Sequence, residues 1–228
     1  MSFVPISVVT RFGDQKLSSG TGFFYAVKGS NVFITNWHIV SGRDPETLKP
    51  ISPTGGIPDS LELKIPHREQ IPGGPVATRW VSRVVPLYRD EGREQAVWYV
   101  HPEHLHRVDI AAICINELEN ASIRPANDAS HDLDDLRLYP SLDVFVLGFP
   151  LGMSGGARFP IWKRGTIATE PDIDLEDLPK FYIDTATRKG MSGAPVYAQE
   201  VGTWLPMGVI DESKRILGKG RTFAGVYA

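Results

Sequence analysis

Short apolar runs, each broken after a few residues by glycine, proline or a polar turn, set the pattern of this chain. Ile6–Val9, Gly20–Tyr25 and Asn31–Thr35 are the first three, rich in β-branched and aromatic residues and bounded by turn formers. Residues 42–75 are crowded with proline, glycine and charge and read as a long surface excursion, with one strand over Leu61–Ile65. The strand pattern resumes at Val81–Val85, Ala96–Val100 and Asp109–Ile115. A polar, acidic stretch from Glu117 to Leu136 follows, where a connection between two halves belongs. Beyond it come Asp143–Leu147, Ile161–Ala168, Phe181–Ile183, Ala194–Ala198, Met207–Ile210 and Phe223–Val226. Helical periodicity is nowhere sustained beyond about ten residues. The one local exception is Trp37–Gly42, predicted as a short helical turn. The expectation is an all-β chain of two stacked antiparallel β-barrels, over residues 1–125 and 126–228.

Composition narrows the chemistry. The 228 residues can bury a respectable core, and 42% hydrophobic against 22% charged residues argues against disorder. A net charge of −3 points to neither a nucleic-acid groove nor an anionic membrane as partner. No apolar stretch approaches the roughly 20 residues that span a bilayer, and Met1–Ile6 lacks the basic and apolar regions of a signal peptide. The single cysteine, Cys114, cannot form an internal disulfide, and its apolar surroundings assign it to the core. A cytoplasmic location is expected.

Three segments carry chemistry: Thr35-Asn36-Trp37-His38, Val108-Asp109-Ile110-Ala111, and Gly190-Met191-Ser192-Gly193-Ala194-Pro195. A serine hydroxyl becomes a nucleophile only when a base takes its proton and donors stabilise the oxyanion it creates. Gly190 permits a tight turn, so that the N–H groups of Gly190 and Ser192 can converge on one oxygen. His38 leaves the end of a strand, where it can face a cleft. Asp109 opens a strongly apolar run, where a carboxylate is costly unless paired. An imidazole Nδ1–H is a fitting partner, leaving Nε2 free as base. His38 and Asp109 fall in the first half and Ser192 in the second, so the site is expected in the cleft between them.

These segments resemble those of chymotrypsin-fold (trypsin-like) serine peptidases, of the disulfide-free bacterial type related to HtrA. Gly20-Thr-Gly-Phe-Phe24 is similar to the Gly-x-Gly-Phe strand before the catalytic histidine, Ile34–Val40 to the histidine motif, and Asp109-Ile-Ala111 to the aspartate motif. Val146–Pro150 and Lys163–Ile167 resemble paired strands that open the second barrel. The resemblance implies endopeptidase activity through an acyl-enzyme, with Ser192 as nucleophile, His38 as general acid–base, Asp109 as orienter, and Gly190 and Ser192 N–H as oxyanion hole. It implies no cofactor and no metal, and a polypeptide substrate. A regulatory partner or further domains of a longer chain are also expected.

Departures from the family modify this picture. Digestive enzymes carry an aspartate just before the serine; Met191 stands here, so no zymogen activation by an ion pair is expected. The residue six before the nucleophile, acidic in trypsin, is Ala186, which argues against Lys or Arg specificity. Ala186 and Thr187 are expected to line the substrate pocket, with Thr187, Arg188 and Lys189 favouring a neutral or acidic residue before the scissile bond. Phe223–Tyr227 resembles the strand that pairs with substrate backbone, which assigns Ala224, Gly225 and Val226 to substrate binding. In the family further strands follow it, whereas this sequence stops at Ala228. Either Met207–Ile210 takes that role or the chain is the front part of a longer protein.

Other patterns weigh less. Gly152-Met-Ser-Gly-Gly156 fits the nucleophile elbow of α/β-hydrolases, but that fold needs its histidine after the serine, and none occurs beyond His131. His101, His104 and His106 are close enough to suggest a metal but lack further ligands, and Asp132, Asp134 and Asp135 read as a solvated linker. A catalytically silent protease-fold binding module and an esterase using the same triad are the rival functions.

Overall fold

The computed structural model describes residues 1–115, 118–186 and 188–228. Seven strands form the first sheet: β1 (Pro5–Phe12), β2 (Gln15–Val27), β3 (Ser30–Thr35), β4 (Ser60–Gln70), β5 (Val76–Pro86), β6 (Trp98–Tyr99) and β7 (Ala111–Cys114), in the order β5-β4-β1-β2-β3-β7-β6. Five form the second: β8 (Asp143–Gly148), β9 (Ile161–Ile167), β10 (Ile183–Asp184), β11 (Pro195–Trp204) and β12 (Ile216–Val226), in the order β10-β9-β8-β11-β12. Neighbours in both sheets pair antiparallel, so the expected all-β fold of two antiparallel, chymotrypsin-like β-units holds, with seven strands in one and five in the other among the described residues.

Local chemistry explains the hairpins nearest the site. β2 and β3 are joined by Lys28-Gly29, both at positive φ (46° and 83°), the turn geometry that matches strand twist. Along β1, Ile6, Val8 and Thr10 face inward while alternate residues are partly exposed. β3 then runs into α1 (Trp37–Ser41), which ends at Gly42 in the left-handed conformation (φ 65°) with its N–H bonded to His38 O.

Each sheet has its own core, and a third cluster of Val4, Phe23, Ala126, Leu147 and Tyr197 joins them. Tyr197 Oη donates to Ala126 O at 3.0 Å, tying β11 to the connection between the sheets. The Phe223 ring lies against Phe23, Tyr25 and Tyr197, with centroids 5.5–5.7 Å away.

One charged group stabilises the first sheet. Glu62 on β4 accepts from Lys64 Nζ (2.6 Å), Arg11 Nε (2.9 Å) and Ser82 Oγ (2.8 Å). The Lys64 hydrogen bond, followed by those from Arg11 and Ser82, lowers its pKa from 4.5 to about 2. A depressed carboxylate pKa stabilises the fold above about 4.5, and that contribution is lost as pH falls toward 2. Glu62→Gln should therefore cost about 1 kcal/mol at pH 7 and nothing at or below pH ~2, read by urea unfolding at both values.

Three sequence expectations need correction. Cys114 is exposed, because the strand alternation that buries Ala111 and Ile113 turns it outward. Met207–Ile210 is not a strand: Pro206 and Gly208 (φ 72°) make a turn there, and Met207 and Ile210 are exposed. The β4–β5 hairpin extends through polar residues to Gln70 and Val76, well beyond the apolar stretch that marked it, because its outer arms pair by backbone rather than by burial.

Candidate active site

His38 and Asp109 meet at the edge of the first sheet. His38 Nδ1 lies 2.7 Å from Asp109 Oδ2, while the His38 backbone N–H donates to Asp109 Oδ1 at 2.9 Å. Asp109 follows a single 3-10 turn (His106–Val108), only 8% of its surface is exposed, and it sits in the left-handed region at φ 54°. That conformation costs a non-glycine residue on the order of 1–2 kcal/mol and persists only where neighbours over-determine it. Here they do: the Asp109 carbonyl accepts from Asn36 Nδ2 (2.8 Å) and from Trp37 N–H (3.1 Å).

Asn36 itself is fully buried, and its Oδ1 has no hydrogen-bond partner among the described residues. Leaving such an acceptor unmet costs roughly 1–3 kcal/mol. Reversing the amide would set its oxygen against the Asp109 carbonyl, so the donor role fixes the orientation. Trp37 packs against the His106 ring at 5.2 Å, closing the other side of α1.

Ser192 arrives from the second sheet on the turn before β11. Gly190 (φ 92°) and Gly193 (φ 81°) flank it at short range, and neither tolerates a side chain: a Cβ would fall 2.5 Å from Phe149 O at Gly190 and 2.1 Å from Thr21 O at Gly193. Met191, in the position of the family's ion-pairing aspartate, is 1% exposed and buried in the second core. Apolar burial thus anchors this turn where an ion pair was expected to be missing.

The N–H groups of the turn divide sharply. Met191 N–H reaches Arg188 O (3.3 Å), Gly193 N–H reaches Tyr227 O (2.8 Å) and Ala194 N–H reaches Met191 O (2.9 Å). The N–H groups of Gly190 and Ser192 have no acceptor among the described residues. Lys189 O is drawn away by Leu151 N–H at 2.6 Å, which turns the Gly190 N–H of the same peptide plane to the opposite side.

The histidine helix and the serine turn approach each other across Gly20. A carbon placed on Gly20 would lie 2.2 Å from Ile39 Cδ1 and 3.5 Å from Ser192 O, so the two segments flank a single backbone position. His38 and Ser192 side chains are not hydrogen-bonded to each other, and Ser192 Oγ has no partner among the described residues.

The remaining candidates are placed as follows. Ala186 is exposed and its carbonyl accepts from Lys163 Nζ; Thr187 lies outside the described residues. Ala224, Gly225 and Val226 end β12, which among the described strands pairs with β11 alone, beside Tyr227, whose O and N bond Gly193 and Ala194. Ser154 lies on an exposed loop. His101 and His104 stack on each other at 5.0 Å, His106 packs tilted against Trp37, and among the described residues no group of three His, Cys, Asp or Glu is arranged to hold a metal. Asp134 binds backbone: its Oδ2 accepts from Arg221 N–H at 3.0 Å.

Two buried residues were not singled out from sequence. Asn36 was read only as part of the histidine motif, and Thr21 only as part of a strand. Thr21 bonds to Ser192, Gly190, Phe149 and Thr35. Glycines on both sides of it were the available signal: a Cβ would strike Ile39 at Gly20 and Phe33 (2.3 Å) at Gly22.

Two antiparallel sheets, a His–Asp pair on one and a glycine-framed serine turn on the other define the chymotrypsin-like class of fold. The trypsin-like peptidase domain profile matches residues 20–204, and the chain belongs to that family. Among solved structures it is similar to Deg5 (15% identity, 86% of this chain and 74% of that one, TM-score 0.45). It is also similar to a serine endoprotease from Yersinia pestis (13%, 97% and 58%, TM-score 0.45) and to the HtrA-type protease AlgW with a tripeptide (13%, 97% and 56%, TM-score 0.43). The chain thus spans little more than half the length of the latter two. No curated protein matches the sequence. Among the described residues no helix is long and apolar enough to cross a membrane.

Proposed function

We propose that this protein is a serine endopeptidase acting in the cytoplasm on polypeptide substrates. Ser192 Oγ attacks the scissile carbonyl and gives its proton to His38 Nε2. The resulting oxyanion is held by Gly190 and Ser192 N–H. His38 then delivers that proton to the leaving amine, and the C–N bond breaks to leave an acyl-enzyme. Water, deprotonated by His38, hydrolyses the ester and restores Ser192. Asp109 holds the imidazole in the tautomer with Nδ1–H and stabilises the imidazolium. The unmade His38–Ser192 hydrogen bond is consistent with this, since such contacts are often loose without substrate.

The observation that carries the reading is the serine turn, where among the described residues Met191, Gly193 and Ala194 N–H are bonded while those of Gly190 and Ser192, on either side of Met191, have no acceptor. A binding module has no use for two such donors beside a hydroxyl, whereas acyl transfer requires them. Peptide rather than simple ester substrates are favoured by the end of β12: beyond Arg221, whose backbone Asp134 holds, an extended chain can add along Ala224, Gly225 and Val226, beside the turn.

In this reading Ala186 lines the pocket for the side chain before the scissile bond. Lys163 against the Ala186 carbonyl, with Arg188 and Lys189 following, disfavours Lys and Arg there. Incubation with a peptide library, read by mass spectrometry, should show internal cleavage with fewer than about one cut in ten after Lys or Arg, the Coulomb penalty of like charge. Cleavage confined to Lys and Arg would contradict the pocket, and ester hydrolysis without peptide cleavage would make the protein an esterase.

A further inference from the structure

Thr21 grips the serine turn twice. Its hydroxyl donates to Gly190 O at 2.8 Å, and its backbone N–H donates to Ser192 O at 2.9 Å. The same hydroxyl accepts from Phe149 N–H at 3.2 Å, and the Thr21 carbonyl accepts from Thr35 Oγ1 at 2.7 Å. Thr21 belongs to β2 of the first sheet, whereas Gly190 and Ser192 lie on the turn that leads into β11 and Phe149 directly follows β8, both strands of the second. The residue is completely buried, and its hydroxyl occupies space that a side chain at Gly148 would take, since a Cβ there would lie 2.9 Å from it.

We propose that Thr21 is a positioning residue that sets the oxyanion hole from the opposite sheet. The two free N–H groups lie in the peptide planes Lys189–Gly190 and Met191–Ser192. Glycine at 190 imposes almost no conformation of its own, so the planes around it take whatever orientation their partners dictate. Leu151 N–H holds the plane before Gly190, and the Thr21 hydroxyl holds the plane after it. At Ser192 the Thr21 N–H holds the following plane. Without the hydroxyl, the Gly190 carbonyl and Phe149 N–H lose a buried partner together, and the Gly190–Met191 plane keeps only the 3.3 Å contact from Met191 N–H to Arg188 O, so it can tilt and carry the donors out of convergence. The register of the two sheets then governs catalysis directly, because the grip on the turn comes from the sheet that bears His38.

This inference rests on the reading of Ser192 as nucleophile, so the wild-type protein is first shown to label at Ser192 with a fluorophosphonate and to cleave peptide. Failure there defeats the proposed function. In a labelled, active protein, Thr21→Val keeps the shape of the side chain and removes the hydroxyl. Its kcat should fall about 10–100-fold with KM within about two-fold of wild type, somewhat less than the loss of an oxyanion donor itself. The inhibition constant of a peptide aldehyde, which forms a tetrahedral adduct, should rise by the same factor; that of the matching peptide alcohol should not move. Thr21→Ser should restore kcat to within about three-fold, since it keeps both hydrogen bonds. Thr10→Val, which removes another buried hydroxyl of the same sheet bonded to Ser18, controls for lost stability and should keep kcat. If Thr21→Val does not fold, Thr21→Cys, a weak donor of similar size, takes its place with the same direction of effect. Unchanged kcat in the folded Thr21 variant, or an equal loss in Thr10→Val, overturns the proposal.

Discussion

Ser192→Ala is expected to fold as the parent does and to lose peptide turnover by about 10⁴–10⁶-fold. The fold should tolerate it because Ser192 enters the structure through its backbone: its carbonyl accepts from Thr21 N–H, and its hydroxyl has no partner among the described residues. Removing an unpartnered, half-buried hydroxyl leaves no orphaned group behind, so the melting temperature should move by no more than a degree or two, the scale of a neutral surface change. The loss of rate has the opposite logic. Without Oγ no acyl-enzyme forms, and what remains is the contribution of binding and of the two N–H donors to direct attack by water. Steady-state cleavage of a fluorogenic peptide, with melting followed by circular dichroism, checks both halves. Turnover retained within ten-fold would move the nucleophile elsewhere.

Asp109→Asn should cost about 10⁴-fold in kcat while preserving the fold. Asparagine is among the residues that tolerate the left-handed region, so the φ of 54° at this position is no obstacle. The damage follows from a donor already present. His38 backbone N–H donates to Oδ1 at 2.9 Å, so an amide must place its oxygen there and its NH₂ against His38 Nδ1. That arrangement makes Nδ1 an acceptor and puts the ring proton on Nε2, where the base should be empty. Nitrogen-15 NMR of the imidazole reads the tautomer separately from the rate. In the double variant Ser192→Ala/Asp109→Asn, turnover should be no lower than in Ser192→Ala alone, because residues that act as one unit lose their function once.

Much of this arrangement was legible in the sequence because it depends on residue types that are costly anywhere else. An aspartate before the apolar Ile110–Ile115 needs a partner, a serine between glycines marks a turn with backbone to spare, and alternating apolar runs specify strands. Residues that hold these groups in place were hidden for the opposite reason. Threonine in a strand and asparagine before a short helix are common, and nothing local distinguishes Thr21, gripping Gly190 across 169 residues, or Asn36, gripping Asp109 across 73. Cys114 was misplaced because an unbroken apolar run conceals which face of an edge-proximal strand is covered. Met207–Ile210 read as a strand on composition alone, and the proline and glycine at 206 and 208 outweighed it.

The most direct test of the account is to find which atom a fluorophosphonate modifies. Mass spectrometry of the labelled, digested protein should place the adduct on Ser192 alone, with labelling lost in Ser192→Ala, slowed strongly in Asp109→Asn and intact in Ser154→Ala. An adduct on another serine, or a folded protein that takes up no label, would contradict it.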